Sequence, residues 1–218
     1  EEQAEIVYFE GCYLAMAQEY EKALKRFEYI AKKYENSSWS DKGEYQIFQT
    51  LYLKGDKKES LEMGEKFNRK YPSSNLVPQV LVKMAMIHHE NGDYAVAADY
   101  LSQAVNHPQS DPNVKFRAAL NAAISYQKIS AWIDAAQMYT MINKEFPNEL
   151  PESEINLKIG FCLLQGSRAE EALTYFVKSN EKPLDSDKPE ILYWIATCYS
   201  KLGEYQKAIG EYLKVPYL

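Results

Sequence analysis

A small residue returns about every 37 positions along this chain, and this period constrains the fold more than any other feature. The successive intervals are 37, 37, 38, 37 and 36 residues, counted over Ala23, Ser60, Ala97, Ala135, Ala172 and Ala208. A regular long interval is typical of a chain built from stacked copies of one supersecondary unit. We therefore expect six repeats and number each so that the small residue is its twentieth position. The repeats then begin near Ala4, Asp41, Pro78, Phe116, Ser153 and Pro189.

Each repeat has the pattern of two helices. Large apolar residues recur at spacings of three, four and seven, which is the helical period and not the strand period. In three copies the middle of the repeat carries a glycine followed by an acidic residue, at Gly55-Asp56, Gly92-Asp93 and Gly203-Glu204. Glycine accepts the left-handed conformation that ends a helix, and an acidic residue favours the first turn of the next one. Each repeat is therefore predicted to be a helix, a tight turn and an antiparallel helix, with the small eighth and twentieth positions at the contact between them.

The prolines give independent support for these boundaries. Proline inside a helix costs about 3 kcal/mol, so it is expected at joints between helices. Eight of the nine prolines fall between repeats, namely Pro72, Pro78, Pro108, Pro112, Pro147, Pro151, Pro183 and Pro189.

Taken together, these positions resemble the tetratricopeptide repeat family. The last repeat carries the resemblance most clearly, through Leu192, Ala196, Tyr199, Gly203, Tyr205, Ala208 and Tyr212. The resemblance covers nearly the whole chain and implies an all-α, right-handed superhelical solenoid of about six helix-turn-helix repeats. We expect one solenoid domain over residues 1–218, in a fragment of a longer protein, with repeats at about 4–40, 41–77, 78–115, 116–152, 153–188 and 189–218.

The joints between repeats are longer than the family's usual period of 34 residues requires. In this they resemble the long-period repeats of bacterial envelope proteins, including outer-membrane assembly lipoproteins and the periplasmic partner of the Tol–Pal system. That resemblance favours a periplasmic or outer-membrane-anchored location, with the cytoplasm as the alternative.

The second repeat departs most from the family pattern. Phe48, Lys57, Ser60 and Gly64 stand where the family prefers other small or aromatic residues. This departure predicts looser packing or a different helix angle in the second repeat.

Composition excludes several classes of partner. The net charge is −6 and the isoelectric point is near 5.3, whereas nucleic-acid binding normally requires a basic face. The sequence has no cluster of Lys and Arg for anionic lipid and no run of eighteen apolar residues for a membrane span. We therefore expect a protein or peptide partner, no nucleic acid, and no direct membrane insertion of this chain.

The sequence shows no pattern typical of catalysis or of cofactor binding. Its glycines form no phosphate-binding loop, and the carboxylates lie on repeating solvated faces. His88 and His89 are neighbours on a helix and point about 100° apart, so they cannot chelate one ion together. Cys12, Cys162 and Cys198 are interpreted as small apolar residues without disulfides. We expect no enzyme activity, no metal and no cofactor.

The family resemblance also implies a partner-binding groove lined by positions 2, 5, 9, 12 and 13 of the first helices. Transferred by register, the candidate groove residues are Tyr8, Tyr45, Gln49, Tyr52, Met86, His89, Arg117, Ile124, Gln127, Phe161, Tyr193 and Thr197. Positions 5 and 9 carry no Lys or Arg, so the carboxylate clamp of chaperone-binding members is not expected. An apolar groove favours instead an extended or helical peptide with hydrophobic side chains.

Two interpretations of the groove tyrosines remain open at the level of sequence. Tyrosine suits recognition because it offers a large contact area and loses little rotamer entropy. The same rings could instead pack between adjacent first helices. The function is predicted to be an interaction scaffold, and the alternatives are a structural spacer, a self-associating arm, or the docking arm of an enzyme or sensor outside this chain.

Overall fold

The structure, a computed structural model, describes residues 2–35, 37, 39–184 and 186–215. Over these ranges the chain forms helices and no strands, so the expected all-α class is confirmed. The helices are α1 (Glu2–Met16), α2 (Tyr20–Lys33), α3 (Ser40–Lys54), α4 (Lys57–Lys70), α5 (Val77–Glu90), α6 (Tyr94–Asn106), α7 (Pro112–Lys128), α8 (Trp132–Glu145), α9 (Glu152–Gln165), α10 (Ala169–Glu181), α11 (Lys188–Lys201) and α12 (Tyr205–Tyr212). Each predicted repeat supplies two of them, the first odd-numbered and the second even-numbered.

The chain divides into two compact units, residues 1–115 and residues 116–218. We call them the N-terminal unit and the C-terminal unit. The division falls at the predicted boundary between the third and fourth repeats, so each unit holds three repeats. The organisation of all six as one domain stays a prediction.

The turn inside every repeat has one backbone geometry. Gly55, Gly92 and Gly203 adopt φ values of 93°, 83° and 77°, as their sequence pattern predicted. In the other three repeats a residue other than glycine takes the left-handed conformation, namely Gln18, Ser130 and Ser167 at φ of 61°, 58° and 63°. A backbone N–H to C=O bond from the sixteenth to the eleventh position closes all six turns, as in Glu19 to Leu14 at 2.8 Å and Glu204 to Tyr199 at 2.9 Å. This bond satisfies a carbonyl that the helix end would otherwise leave unpaired.

Three of the prolines lie at the start of a first helix. Pro78 and Pro189 lie within the first two positions of α5 and α11, and Pro112 is the first residue of α7. Proline suits these positions because the first N–H groups of a helix have no partner within the helix. The predicted joints are therefore confirmed at these positions.

The small twentieth position is buried in all six repeats. Its side chain is at most 3% exposed in every copy, namely Ala23, Ser60, Ala97, Ala135, Ala172 and Ala208. Ser60, the one polar member, donates its hydroxyl to the Phe48 carbonyl at 3.3 Å. The period of the sequence is thus the interval at which a small residue is buried in the second helix of each repeat.

A glycine and a phenylalanine meet at the eighth and twenty-fourth positions in three repeats. A Cβ on Gly11 would lie 2.6 Å from Cε1 of Phe27, and one on Gly160 would lie 2.8 Å from Cε1 of Phe176. In the second repeat the pair is reversed, because Phe48 occupies the eighth position and Gly64 the twenty-fourth. Phe48 is fully buried, so the irregular second repeat fills its core by exchanging the large and the small residue. The looser packing or different helix angle expected in the second repeat stays a prediction.

Among the described helices, none combines the length and the apolar character needed to cross a lipid bilayer.

Candidate partner-binding surfaces

Tyr8 of α1 packs between the first two repeats. Its ring lies edge-on to Phe27 at a centroid distance of 6.0 Å and is tilted against Trp39 at 5.5 Å. Its hydroxyl accepts a hydrogen bond of 2.7 Å from Nε2 of Gln46 on α3. Burial raises the pKa of the Tyr8 hydroxyl, and the bond from Gln46 partly opposes that shift. The side chain is half-buried, so one part of the ring joins the repeats and the other faces solvent.

A chain of polar side chains joins α3 to α5 in the N-terminal unit. Lys83 Nζ donates to Gln49 Oε1 at 2.7 Å, and Gln49 Nε2 donates to the Tyr45 hydroxyl. The Tyr45 hydroxyl in turn donates to Gln79 Oε1 at 2.9 Å. Burial raises the pKa of Tyr45, so this hydroxyl stays protonated at neutral pH. We call Tyr45, Gln49, Gln79 and Lys83 the polar chain.

Three further candidate residues of the N-terminal unit lie nearer to solvent. Tyr52 is half-buried, and Lys83 Nζ lies 4.6 Å from the centroid of its ring. Met86 is 42% exposed. His89 is also exposed and meets the Tyr94 ring edge-on at 4.9 Å. Among the six candidates of this unit, Tyr8, Tyr45 and Gln49 bond to a neighbouring repeat. Met86 and His89 are instead exposed to solvent.

In the C-terminal unit, the candidates Phe161 and Tyr193 belong to a row of aromatic side chains. Phe161 on α9 meets Trp132 edge-on at 5.9 Å and Trp194 at 5.4 Å. Tyr193 lies 4.9 Å from Trp194 and 5.8 Å from Tyr212. The row thus spans α8, α9, α11 and α12. We call these five residues the aromatic row.

Thr197 holds the end of the aromatic row in place. Its hydroxyl donates to the Tyr193 carbonyl at 2.8 Å and lies 3.0 Å from the Tyr212 hydroxyl. Because the threonine has only one hydroxyl proton, Tyr212 must be the donor in the second bond. Thr197 therefore positions Tyr212 beside Tyr193.

The remaining three candidates lie on α7. Arg117 is exposed and Ile124 is half-buried. Gln127 Nε2 lies 3.2 Å from Cys162 Sγ on α9, and Gln127 Oε1 accepts from the Tyr139 hydroxyl at 3.5 Å. Gln127 therefore links neighbouring repeats, and both of its polar ends have protein partners.

Sequence reasoning missed Trp132, Trp194 and Lys83. Trp194 and Lys83 share the sixth position of their repeats, which is not one of the five positions that predict the groove. The helical period indicates that the sixth position lies on the same helix face as the groove, because it is four residues after the second position and three before the ninth. Trp132, at the seventeenth position, belongs to a second helix and reaches Phe161 only through tertiary packing.

The described residues contain no group of three His, Cys, Asp or Glu side chains placed to hold a metal ion. All three cysteines are free, as predicted. Burial raises the pKa of Cys162, and it raises that of Cys198 to about 11, so both thiols stay protonated at neutral pH.

Two stretches of the chain match family models of the tetratricopeptide repeat, at residues 79–110 and residues 163–216. No curated protein sequence matches the chain. The resemblance predicted from the repeat register is therefore confirmed over these two stretches.

Solved structures support the same fold over most of the chain. A crystal structure of MamA protein is 17% identical with a TM-score of 0.58, covering 87% of this chain and 95% of that one. YrrB, described as a tetratricopeptide repeat protein with an unusual peptide-binding site, is 15% identical with a TM-score of 0.56, covering 78% of this chain and 81% of its own. A segment of MamA from Desulfovibrio magneticus RS-1 is 17% identical with a TM-score of 0.52, covering 80% and 92%. The helical-repeat fold is thus shared with proteins of low sequence identity.

Proposed function

We propose that this protein is a non-catalytic interaction scaffold that binds a peptide or protein segment on the surface of its first helices. The tetratricopeptide-type fold supports the scaffold role, and the peptide-binding site named for YrrB is a precedent on a similar fold. The twelve candidate groove residues, together with Trp132, Trp194 and Lys83, are the proposed contacts.

The aromatic row of the C-terminal unit is the observation that carries this proposal. Tyr193 and Tyr212 are 45% and 39% exposed, although both contact other aromatic rings or polar groups within the row. Their rings are held by neighbours before any partner arrives, so little side-chain entropy is left to lose on binding. Trp and Tyr are also the side chains most often found at the energetic centre of interfaces.

The chemistry of the row indicates the kind of segment it would accept. The indole and phenol faces are apolar, whereas the Trp194 N–H is already bonded to Glu190 Oε1 at 3.0 Å. The row therefore offers flat apolar surface with few free donors. An extended or helical segment that presents hydrophobic side chains would fit this surface best.

Selection from a random 12-residue peptide library, displayed on phage and panned against the full chain, tests the proposal. We expect enriched peptides that are rich in large apolar residues, and at least tenfold weaker binding of these peptides to Tyr193→Ala and Phe161→Ala. Tyr175→Ala is the matched control, because Tyr175 lies on α10 outside the row. Tyr193 is half-exposed, so its variant should retain the wild-type helical content. Unchanged binding by both row variants, or failure to enrich any peptide, would contradict the proposal.

The cell envelope of a bacterium is the setting we propose for this scaffold. The long joints between repeats, similar to those of envelope proteins, are its support. Fractionation of the source cells, followed by detection with an antibody raised against this chain, would test it. Recovery in the cytoplasmic fraction alone would contradict the setting without affecting the scaffold role.

Self-association is a second candidate function, favoured by a stripe of apolar side chains on α1. Ile6 and Tyr13, at the third and tenth positions, are 67% and 72% exposed, whereas Val80 and Ile87 at the same positions of α5 are fully buried. Phe9 and Met16 extend the exposed stripe. Light scattering coupled to size-exclusion chromatography tests this function. We expect Ile6→Lys with Tyr13→Lys to abolish any dimer, and a wild-type monomer at high concentration would contradict it.

A further inference from the structure

Glu190 on α11 has no lysine or arginine partner among the described residues. It holds the second position of the sixth repeat, and Trp194 holds the sixth position. In the fifth repeat the same two positions are Glu154 and Lys158, which form an ion pair at 3.5 Å. Trp194 instead donates its indole N–H to Glu190 Oε1 at 3.0 Å. This hydrogen bond positions the carboxylate but leaves its negative charge uncompensated.

The indole of Trp194 is itself held by two other rings. Phe176 stacks on it at a centroid distance of 6.3 Å with 14° between the ring planes, and Phe161 meets it edge-on at 5.4 Å. Because these contacts restrict rotation of the indole, its N–H keeps the Glu190 carboxylate in one place. Within the described ranges, Glu190 Oε2 has no protein donor. One oxygen of a positioned carboxylate is therefore available to a ligand.

Tyr193 provides exposed aromatic surface next to this carboxylate. It lies three residues after Glu190, so the two side chains are on one face of α11. The ring of Tyr193 is tilted by 59° against that of Tyr212 at 5.8 Å, and the two tyrosines are 45% and 39% exposed. The face of an aromatic ring is electron-rich and attracts cations. Glu190 and Tyr193 thus offer a charge and a ring that both favour a positive group.

Elsewhere the protein places its own lysines over aromatic rings. Lys42 Nζ lies 4.4 Å from the centroid of the Trp39 ring, and Lys207 Nζ lies 5.3 Å from that of Tyr199 in the sixth repeat. In the part of the chain that the structure describes, no lysine or arginine lies over a ring of the aromatic row. The row therefore combines exposed ring surface with an uncompensated carboxylate and without a cation of its own.

We propose that Glu190 and Tyr193, with Tyr212 beside them, bind a positively charged side chain, an arginine or a lysine of the partner segment. The cation lies against the Tyr193 ring and donates to the Glu190 carboxylate. Arginine suits this arrangement because its guanidinium can stack on a ring and bond a carboxylate. The net charge of −6 favours the approach of a basic segment. The inference rests on the proposed function, because it adds one basic side chain to the apolar segment proposed there.

A direct test uses N-acetylarginine methylamide as the probe and its uncharged citrulline counterpart as the control ligand. The indole N–H of Trp194 reports on the site because it is bonded to Glu190. In the full chain labelled with ¹⁵N-tryptophan, Trp194→Phe identifies this resonance. At constant ionic strength the arginine compound should shift it saturably, whereas the citrulline compound should not. Trp39 is the internal control, since Lys42 already lies over its ring. A Trp194 response no larger than that of Trp39, or equal for the two compounds, would overturn the site.

Glu190→Gln separates the charge of this side chain from its hydrogen bond. The glutamine keeps an oxygen that can accept from the Trp194 indole, but it carries no charge. Glu5→Gln is the matched control, because Glu5 holds the second position of the first repeat and its loss changes the net charge equally. We expect at least threefold weaker binding of the arginine compound to Glu190→Gln and unchanged binding to Glu5→Gln. Equal affinities of the two variants would overturn the role of Glu190.

The peptide selection described above separates failure of this site from failure of the scaffold role. It is run in parallel on the wild type, on Glu190→Gln and on Glu5→Gln. We expect Arg or Lys to be enriched at one position beside large apolar residues, and at least threefold weaker binding of those peptides to Glu190→Gln alone. Selected peptides without such enrichment overturn the basic-side-chain site and leave the scaffold standing. Enriched basic peptides that bind Glu190→Gln as well as the wild type overturn its location at Glu190.

Discussion

Phe48 lies against Gly64, where a Cβ on the glycine would come within 3.1 Å of Cε2 of the ring. The pair reverses the arrangement of Gly11 with Phe27 and of Gly160 with Phe176. In these three repeats the contact between the two helices pairs a phenylalanine with a glycine, and either helix can supply the phenylalanine. Family preferences at single positions miss this exchange, because they treat the two positions as independent.

The close approach at these glycines predicts opposite effects of the same substitution at two helical sites. Gly160→Ala should destabilise the C-terminal unit by about 1–3 kcal/mol, because the new Cβ would meet three Phe176 ring atoms at 2.8–3.1 Å. Gly210→Ala should be neutral or stabilise by up to about 1 kcal/mol, since nothing lies within 4 Å of its Cβ position and alanine is the better helix former. Urea unfolding of both variants measures the difference. Equal effects at the two sites would contradict the packing argument.

At the three left-handed turns that lack glycine, we expect a substitution to glycine to raise the free energy of unfolding. Ser130→Gly and Ser167→Gly should each stabilise the protein by up to about 1 kcal/mol, because both serines adopt positive φ, which costs a residue with a Cβ about 1–2 kcal/mol. Gln18→Gly should behave alike in the N-terminal unit. The reverse change, Gly203→Ala, is the control and should destabilise. Thermal unfolding midpoints give the measurement, and a fall on Ser130→Gly would count against the turn geometry.

Sequence reasoning accounts for the hairpins but not for the surfaces they carry. The period located Ala23 and its equivalents because a buried helix contact repeats in every copy. The polar chain depends on the hydrogen bond from Lys83 of the third repeat to Gln49 of the second, and no pattern within a single repeat predicts a contact between two repeats. The sequence also does not predict the left-handed turns at Gln18, Ser130 and Ser167, because glycine is the only residue type that signals this conformation. In these three repeats the same backbone hydrogen bond closes the turn without a glycine.

The buried Glu44 predicts an asymmetric response to losing its lysines. Its side chain is 4% exposed, and Lys70 Nζ lies 2.6 Å from Oε1, whereas Lys66 Nζ lies 3.8 Å from Oε2. Lys70→Met should destabilise the N-terminal unit by about 1–3 kcal/mol, because it leaves a buried carboxylate without its closest counter-charge. Lys66→Met should have a much smaller effect.

The double variant Glu44→Gln with Lys70→Met is the control for this prediction. It should recover part of the loss, because the buried charge is removed together with its partner. Urea unfolding of the four proteins forms the comparison. A double variant no more stable than Lys70→Met would contradict the role of the pair.

Tyr139 predicts a loss of stability in alkaline solution. Burial, with smaller contributions from Cys162 and Glu154, raises the pKa of its hydroxyl from 10.0 to about 12. Between these two pH values the unfolded chain releases the proton while the folded chain keeps it, so the free energy of unfolding falls as pH rises. Below pH 10 the group contributes no pH dependence. Between pH 10 and pH 12 the urea midpoint of Tyr139→Phe should fall less steeply than that of the wild type. Parallel curves would show that this tyrosine does not contribute to the loss.

The turn bond from the sixteenth to the eleventh position joins backbone atoms in all six repeats, so no side chain is needed to make it. Substitutions at the turn can therefore accumulate without undoing the hairpin, provided that the left-handed residue is tolerated. Family models match residues 79–110 and 163–216, yet the same turn closes every repeat. Because the main chain closes the turn, neighbouring repeats can differ widely in sequence and keep the same fold. Each repeat can therefore present different side chains on its surface.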